Sequence, residues 1–145
     1  MGMATHLGPW LLGTIKNTTG TTAGTVRNVG ATIVAQQVPL VAGAAVTLMI
    51  PAGAAITAVQ AYMTTGAAGT PNVTVGGTII GTVSTAAGLN ALTVTAGNVG
   101  TMLNVGLTDA ILSYTATAAS AGTLVVAYVV RNADGSIAPT AFTGP

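Results

Sequence analysis

Residues 28–108 contain no charged side chain, in a chain of 145 residues. Charged residues make up 3% of the whole chain and the formal net charge is +1, whereas an ordinary globular domain is about 25% charged. Half of the residues are apolar. Low net charge and an uncharged, apolar surface promote association, so the composition predicts a protein that exists within a permanent assembly.

The same composition excludes most of the signals that stabilise helices. The chain has no Glu, and Lys16 is its only Lys, so neither capping boxes nor i,i+4 ion pairs can form. Short apolar runs are instead separated by clusters of Gly, Asn, Thr and Pro, a pattern typical of β-proteins. Strands are predicted at residues 10–16, 25–36, 46–50, 56–64, 72–75, 78–83, 91–95, 101–105, 110–117 and 123–131.

The last predicted strand, 123–131, has apolar residues on both of its alternating faces, so we expect it to be covered on both sides, with Val126 and Tyr128 in the core. The segment 118–122 (AASAG) is predicted to join it to strand 110–117 as a hairpin. Further turns are predicted at 66–70, 76–77 and 98–100. The fold class that follows is all-β: an antiparallel β-sandwich, jelly-roll-like, with an extended N-terminal arm.

Residues 38–63 are apolar enough to suggest a membrane span, which needs about 20 mostly apolar residues. Pro39, Gly43, Pro51 and Gly53 interrupt the segment, however, and favour strands over a spanning helix. The N-terminus also lacks a positively charged region before a continuous apolar run, so no secretory signal is predicted. We expect no membrane partner.

The chain is predicted to divide into residues 1–37, an N-terminal arm or the first strands, residues 38–132, the β-sandwich, and residues 133–145, an irregular tail. The Gly-containing stretch 17–24 would let an aromatic cluster reach a partner, and the following extended residues could add a strand to a neighbouring sheet. Equally, this region could be an ordinary first hairpin of the sandwich. The predicted assembly residues are Trp10, Leu11, Leu12, Val26, Ile33 and Val34.

Chemical groups for catalysis are scarce. The titratable and basic side chains, apart from tyrosines, are His6, Lys16, Arg27, Asp109, Arg131 and Asp134. General acid–base catalysis needs a titratable pair within reach, and His6 has no Cys or Glu with which to form a zinc site. Three basic residues cannot neutralise a nucleic-acid backbone. We therefore predict no enzyme activity, no small-molecule substrate, no metal, no cofactor and no nucleic-acid partner; Asp109 and Asp134 are interpreted as turn formers.

Three segments resemble a known group of proteins: residues 50–66 (IPAGAAITAVQAYMTTG), 72–77 (NVTVGG) and 108–132 (TDAILSYTATAASAGTLVVAYVVRN). In this order they are similar to the small jelly-roll proteins of tailed-phage virions, the head decoration and head-fibre proteins. The resemblance covers residues 46–134 and leaves out the arm. It implies a structural role, often as a trimer on the capsid exterior, and implies no catalytic residues.

The resulting hypothesis is a virion structural protein, a decoration or cement protein that binds the exterior of a phage head and stabilises it. Its expected partners are the major capsid protein and further copies of itself, as a homotrimer, and its expected location is the capsid surface of the virion. The alternative is a head-fibre or tail adhesin domain that recognises host glycans. Only Trp10, Tyr62 and the Asn and Gln amides could serve such a glycan site.

Overall fold

The computed structural model describes residues 33–132, which form strands in two antiparallel sheets. A 3₁₀ turn, Ala96–Asn98, and a short helix, α1 (Val99–Leu103), lie between the seventh and eighth strands. The strands are β1 (Ile33–Leu40), β2 (Ala45–Ile50), β3 (Ala55–Thr65), β4 (Asn72–Val75), β5 (Thr78–Thr82), β6 (Gly88–Ala91), β7 (Thr93–Val94), β8 (Ala110–Thr115) and β9 (Ala121–Val129).

The strand pairs are nested along the chain. β1 pairs with β9, β2 with β8, β3 with β6 and β4 with β5, all antiparallel. This is the pairing of one long hairpin whose closing turn is Gly76-Gly77, where both residues have positive φ (55° and 83°). The hairpin is rolled so that successive pairs alternate between a first sheet, β1-β9-β3-β6, and a second sheet, β2-β8-β4-β5-β7. The predicted all-β sandwich is confirmed, and its topology is that of a jelly roll.

Two similar turns carry the chain between the sheets. In the first, the amide of Ala44 donates to the carbonyl of Val41 at 3.0 Å, and in the second the amide of Ala54 donates to Pro51 at 3.1 Å. The third residue of each turn is a glycine with positive φ, 69° at Gly43 and 71° at Gly53, as a type II turn requires. Residues 38–63 therefore form strands of alternating sheets. Among the helices within residues 33–132, none is long and apolar enough to cross a membrane.

The core lies between the sheets and contains mainly aliphatic side chains. Its largest fully buried members are Tyr114, Ile50, Ile80, Leu112, Leu124, Val59, Val73, Val75, Val83 and Val126. Val126 and Tyr128 are 0% and 4% exposed, which confirms their predicted core positions. The opposite face of β9 is only half-buried, and neither sheet of the described residues covers it, so the expectation of two covered faces stays a prediction. The side chains on that face are Val125, Ala127 and Val129.

Three of the sequence predictions between β6 and β9 are wrong. Residues 101–105, predicted as a strand, lie largely in α1, because Met102 packs against the core and the amide of Asn104 closes a helical turn on the carbonyl of Gly100. The predicted turn at 98–100 is the end of the 3₁₀ turn and the first two residues of that helix. The predicted hairpin at 118–122 is instead a connection between sheets, since β8 pairs with β2 and β4, whereas β9 pairs with β1 and β3.

The remaining differences concern strand limits. The predicted strand 91–95 is divided into β6 of the first sheet and β7 of the second; Leu92 lies between them, packed against the core. β1 starts at Ile33 and continues through Pro39, which an edge strand tolerates. The boundary proposed between residues 37 and 38 thus falls inside β1. The other parts of the predicted arm and tail, residues 1–32 and 133–145, are outside the described residues.

Candidate assembly surface

The outward side of the first sheet is an uncharged and largely apolar surface, which we call the outer face. Strand register and alternating burial define its members. They are Ile33, Ala35, Gln37 and Pro39 from β1; Thr123, Val125, Ala127 and Val129 from β9; Ala55, Ala58, Gln60 and Tyr62 from β3, with Thr57 and Thr64 at its two bulges; and Leu89 and Ala91 from β6.

The middle of the outer face is a row of small side chains. Ala127 of β9 is paired with Ala35 of β1 on one side and with Ala58 of β3 on the other. Larger side chains form the neighbouring rows: Ile33 and Val129 are paired on one side of the alanines, and Gln37 and Val125 on the other. Because side chains stand roughly perpendicular to a sheet, the alanine row forms a shallow depression between two higher rows.

Three large side chains on the outer face are well exposed. Ile33 is 68% exposed, Leu89 60% and Tyr62 46%. The hydroxyl of Tyr62 donates to the Oε1 atom of Gln60 at 3.3 Å, so the exposed aromatic ring has an amide beside it. The polar groups of this face are amides and hydroxyls, and none of its side chains carries a charge.

The outward side of the second sheet is richer in hydroxyl groups. Ser113 occupies the centre, in β8, and is paired with Thr47 of β2 and Thr74 of β4. Apolar side chains are present beside this hydroxyl row, with Met49 paired to Ile111. Both sheets therefore present uncharged surfaces, and their central rows differ: the first has alanines there, and the second has a serine and two threonines.

The two charged residues of the described chain hold loops at one end of the sandwich. Asp109 accepts a hydrogen bond from the amide of Ala52 at 2.9 Å through Oδ1. The Nε atom of Arg131 donates to the carbonyl of Gly53 at 2.7 Å, and its Nη2 atom donates to the carbonyl of Leu103 at the end of α1. Both side chains thus stabilise backbone structure. Within residues 33–132, no group of three or more His, Cys, Asp or Glu could hold a metal ion.

A cluster of hydroxyl groups holds the loops at another point of the sandwich. Thr85 and Ser120 are fully buried. Thr85 donates to the carbonyl of Ala67 at 2.7 Å, and the Oγ atoms of Thr117 and Ser120 are 2.6 Å apart. The amide of Ala67 in turn donates to Ser120 at 3.2 Å. These bonds satisfy buried polar groups where three loops meet. No sequence motif indicates the cluster, because its members come from separate loops.

The structure describes two of the six predicted assembly residues, Ile33 and Val34. Ile33 is on the outer face, whereas the adjacent Val34 faces inward and packs against the core. Trp10, Leu11, Leu12 and Val26 are outside the described residues. Sequence reasoning did not assign the remaining outer-face residues to an assembly surface. The one sequence feature that points to this surface is the second apolar face of strand 123–131, which we expect to be covered.

Comparison with protein-family models, with curated proteins and with solved structures found no match for this chain.

Proposed function

We propose that this protein is a structural component of a phage virion, which decorates the exterior of the head and cements the capsid. The observation that carries the proposal is a small jelly-roll sandwich whose two sheets both present uncharged outward surfaces. Jelly rolls are frequent among viral capsid and lectin domains, and an exposed apolar surface on a small domain marks an interaction site. The resemblance of residues 46–134 to head decoration and head-fibre proteins supports the same role.

The proposed role requires stable contacts with the shell and does not require catalytic groups. Apolar burial contributes about 25 cal/mol per Å² of surface removed from water, so a decoration protein can be retained without charged contacts. The compact sandwich supplies a rigid surface, because its loops are held by Asp109, Arg131 and the buried hydroxyl cluster. The major capsid protein is the proposed partner on the shell.

The test measures how many copies of this protein purified virus particles contain and where on the particle those copies lie. Quantitative mass spectrometry would give its copy number, with the major capsid protein as the internal standard. We expect hundreds of copies per particle and antibody labelling over the whole head in electron microscopy. A few copies labelled at the tail would favour an adhesin, and absence from the particles would contradict both roles.

The exposed pair formed by Tyr62 and Gln60 favours glycan recognition as the second candidate function. An aromatic ring next to an amide can stack on a sugar and bond its hydroxyl groups. Under this alternative, Tyr62→Ala abolishes binding of the protein to host cells, while Tyr62→Phe retains the ring and most of the binding. Under the decoration role, neither substitution changes attachment to heads by more than a few fold.

The proposed contribution of the N-terminal region is tested by deleting residues 1–24. We expect the truncated protein to fold, because the described strands start at Ile33, and to lose attachment to particles. Circular dichroism would establish the fold and co-sedimentation with heads would measure attachment. Normal coating by the truncated protein would show that the attachment surface is elsewhere.

A further inference from the structure

We propose that the outer face of the first sheet is an interface between copies of this chain, and that its occupant is a second copy. The inference concerns self-association in solution, so it does not depend on the proposed virion role. A face that packs against its own counterpart joins two copies, whereas the resemblance implies a trimer. It is carried by the charge, extent and shape of the outer face.

The lack of charge on the outer face restricts which protein surfaces can bind there. An ordinary protein surface carries many charges, and burying them without counter-charges costs several kcal/mol each. No side chain of the outer face carries a charge that could neutralise a charge of the partner. The two charged residues of the described chain, Asp109 and Arg131, are hydrogen-bonded to loop backbone. A partner must therefore be equally poor in charge. A second copy of this chain meets that requirement, because residues 28–108 contain no charge at all.

The extent of the outer face is sufficient for a specific contact. Four strands spaced about 4.8 Å apart span about 19 Å, and the eight residues of β1 extend over about 26 Å. The flat footprint is thus about 500 Å². Small specific interfaces bury about 600 Å² of accessible surface per partner, and the accessible area of a corrugated face exceeds its flat footprint. The outer face is therefore of the size that a stable pair of copies needs.

The shape of the face provides complementarity. The alanine row centred on Ala127 is a depression, and the rows containing Ile33 and Val125 are ridges. When two sheets pack face to face, the ridges of one can enter the depression of the other. Small side chains also allow close approach without the loss of rotamer freedom that long side chains incur. The hydroxyl-rich face around Ser113 lacks this apolar depression.

The experiment compares two lysine substitutions at equivalent central positions. Ala127→Lys places a charge at the middle of the outer face, in β9, and Ser113→Lys places one at the middle of the second sheet's outward side, in β8. Sedimentation velocity at tens of micromolar full-length protein measures the mass, and circular dichroism measures the fold. We expect the wild type and Ser113→Lys to be oligomeric and Ala127→Lys to be monomeric. A monomeric wild type, or an unchanged mass for Ala127→Lys, would overturn the inference.

A second measurement applies even if Ala127→Lys does not fold. The chain has no cysteine, so Ala35→Cys introduces a single thiol on the outer face, and Thr47→Cys introduces one on the other sheet. We expect a thiol reagent to modify the Ala35→Cys oligomer at least tenfold more slowly than the Thr47→Cys oligomer, and the difference to disappear on dilution to monomers. Equal rates in the oligomers would overturn the inference.

Attachment to particles separates this inference from the proposed function. If Ala127→Lys remains oligomeric but no longer coats heads, the outer face contacts the capsid, and the inference fails while the virion role stands. If Ala127→Lys is monomeric and even the wild type is absent from particles, the inference stands and the virion role fails.

Discussion

The side-chain amide of Gln36 in β1 donates a hydrogen bond to the hydroxyl of Tyr128 in β9. The same nitrogen lies 3.2 Å from the carbonyl oxygen of Met49 in β2. β1 and β2 are edge strands of different sheets, so Gln36 links the sheets at one open side of the sandwich. Gln36 is a polar residue on the inward face of β1, and these two acceptors explain why it is tolerated there. One acceptor is the hydroxyl of Tyr128, which is buried.

The first prediction is that Gln36→Ala lowers the free energy of unfolding by about 1–2 kcal/mol, because it removes bonds to two acceptors. Gln37→Ala is the matched control, since Gln37 is exposed on the outer face and should change stability by about 0.5 kcal/mol or less. Urea denaturation measures both. In a double-mutant cycle, Gln36→Ala and Tyr128→Phe should be non-additive; strict additivity would mean that the bond contributes nothing.

The second prediction concerns alkaline pH. Burial raises the pKa of Tyr114 above 10.0, and its hydroxyl donates to the carbonyl of Val83 at 3.2 Å. The folded state therefore favours the neutral phenol, so this contribution to stability is complete below pH 10 and is lost as the pH rises through the higher pKa of the folded state. Tyr114→Phe should cost about 1 kcal/mol at pH 7 and reduce the loss of stability above pH 10.

The measurement is urea denaturation of both proteins across this pH range. Tyr62→Phe is the matched control, because it removes the hydroxyl of a tyrosine that is 46% exposed. Identical slopes for the wild type and Tyr114→Phe would show that another group controls alkaline unfolding.

The third prediction is a steric effect in the pairing of β3 and β9. A Cβ atom at Gly122 would lie 2.1 Å from the carbonyl oxygen of Tyr62 and 2.9 Å from the Cα atom of Met63. The backbone must move to admit it, so Gly122→Ala should destabilise the protein by about 1–3 kcal/mol. At Gly97 a Cβ atom would meet nothing within 4 Å, and Gly97→Ala should be nearly neutral. Thermal melting compares them; equal melting temperatures would disprove the close approach.

The fourth prediction concerns the bond between Asp109 and the amide of Ala52. Asp109→Ala leaves this amide without its acceptor and should cost about 0.5–1.5 kcal/mol. Asp109→Asn can still accept through Oδ1 and should recover more than half of the loss. The oligomer mass should not change in either variant, because the side chain is at the loop end and not on the outer face. A loss of the oligomer would mean that Asp109 contributes to assembly directly.

The fifth prediction is that self-association is insensitive to salt. Screening shortens the reach of electrostatic interactions from about 10 Å at 0.1 M to about 3 Å at 1 M ionic strength. An interface without charges should therefore have the same or slightly higher affinity at 1 M NaCl. Sedimentation equilibrium measures this, and marked dissociation at high salt would indicate charged contacts.

Local sequence patterns were sufficient to predict most of the individual strands. β4 was predicted at residues 72–75 and is found there, because Val73 and Val75 alternate with polar residues between Pro71 and the Gly76-Gly77 turn. Val126 and Tyr128 were placed correctly in the core for the same reason: a strand with period two has one face to bury. α1 could not be predicted locally, because Met102 reaches the core only in the assembled sandwich.

The sequence by itself determined that the chain is uncharged over residues 28–108 and forms β-strands separated by glycine and proline turns. Only the tertiary structure decided which strands are neighbours. It pairs β9 with β1 and β3 instead of with the adjacent β8, and it brings Ala35, Ala58 and Ala127 into one row. The physical reason is that alternation assigns each residue to a side of its own strand, whereas the row depends on register between segments distant in sequence, which is set by the packing of the whole core.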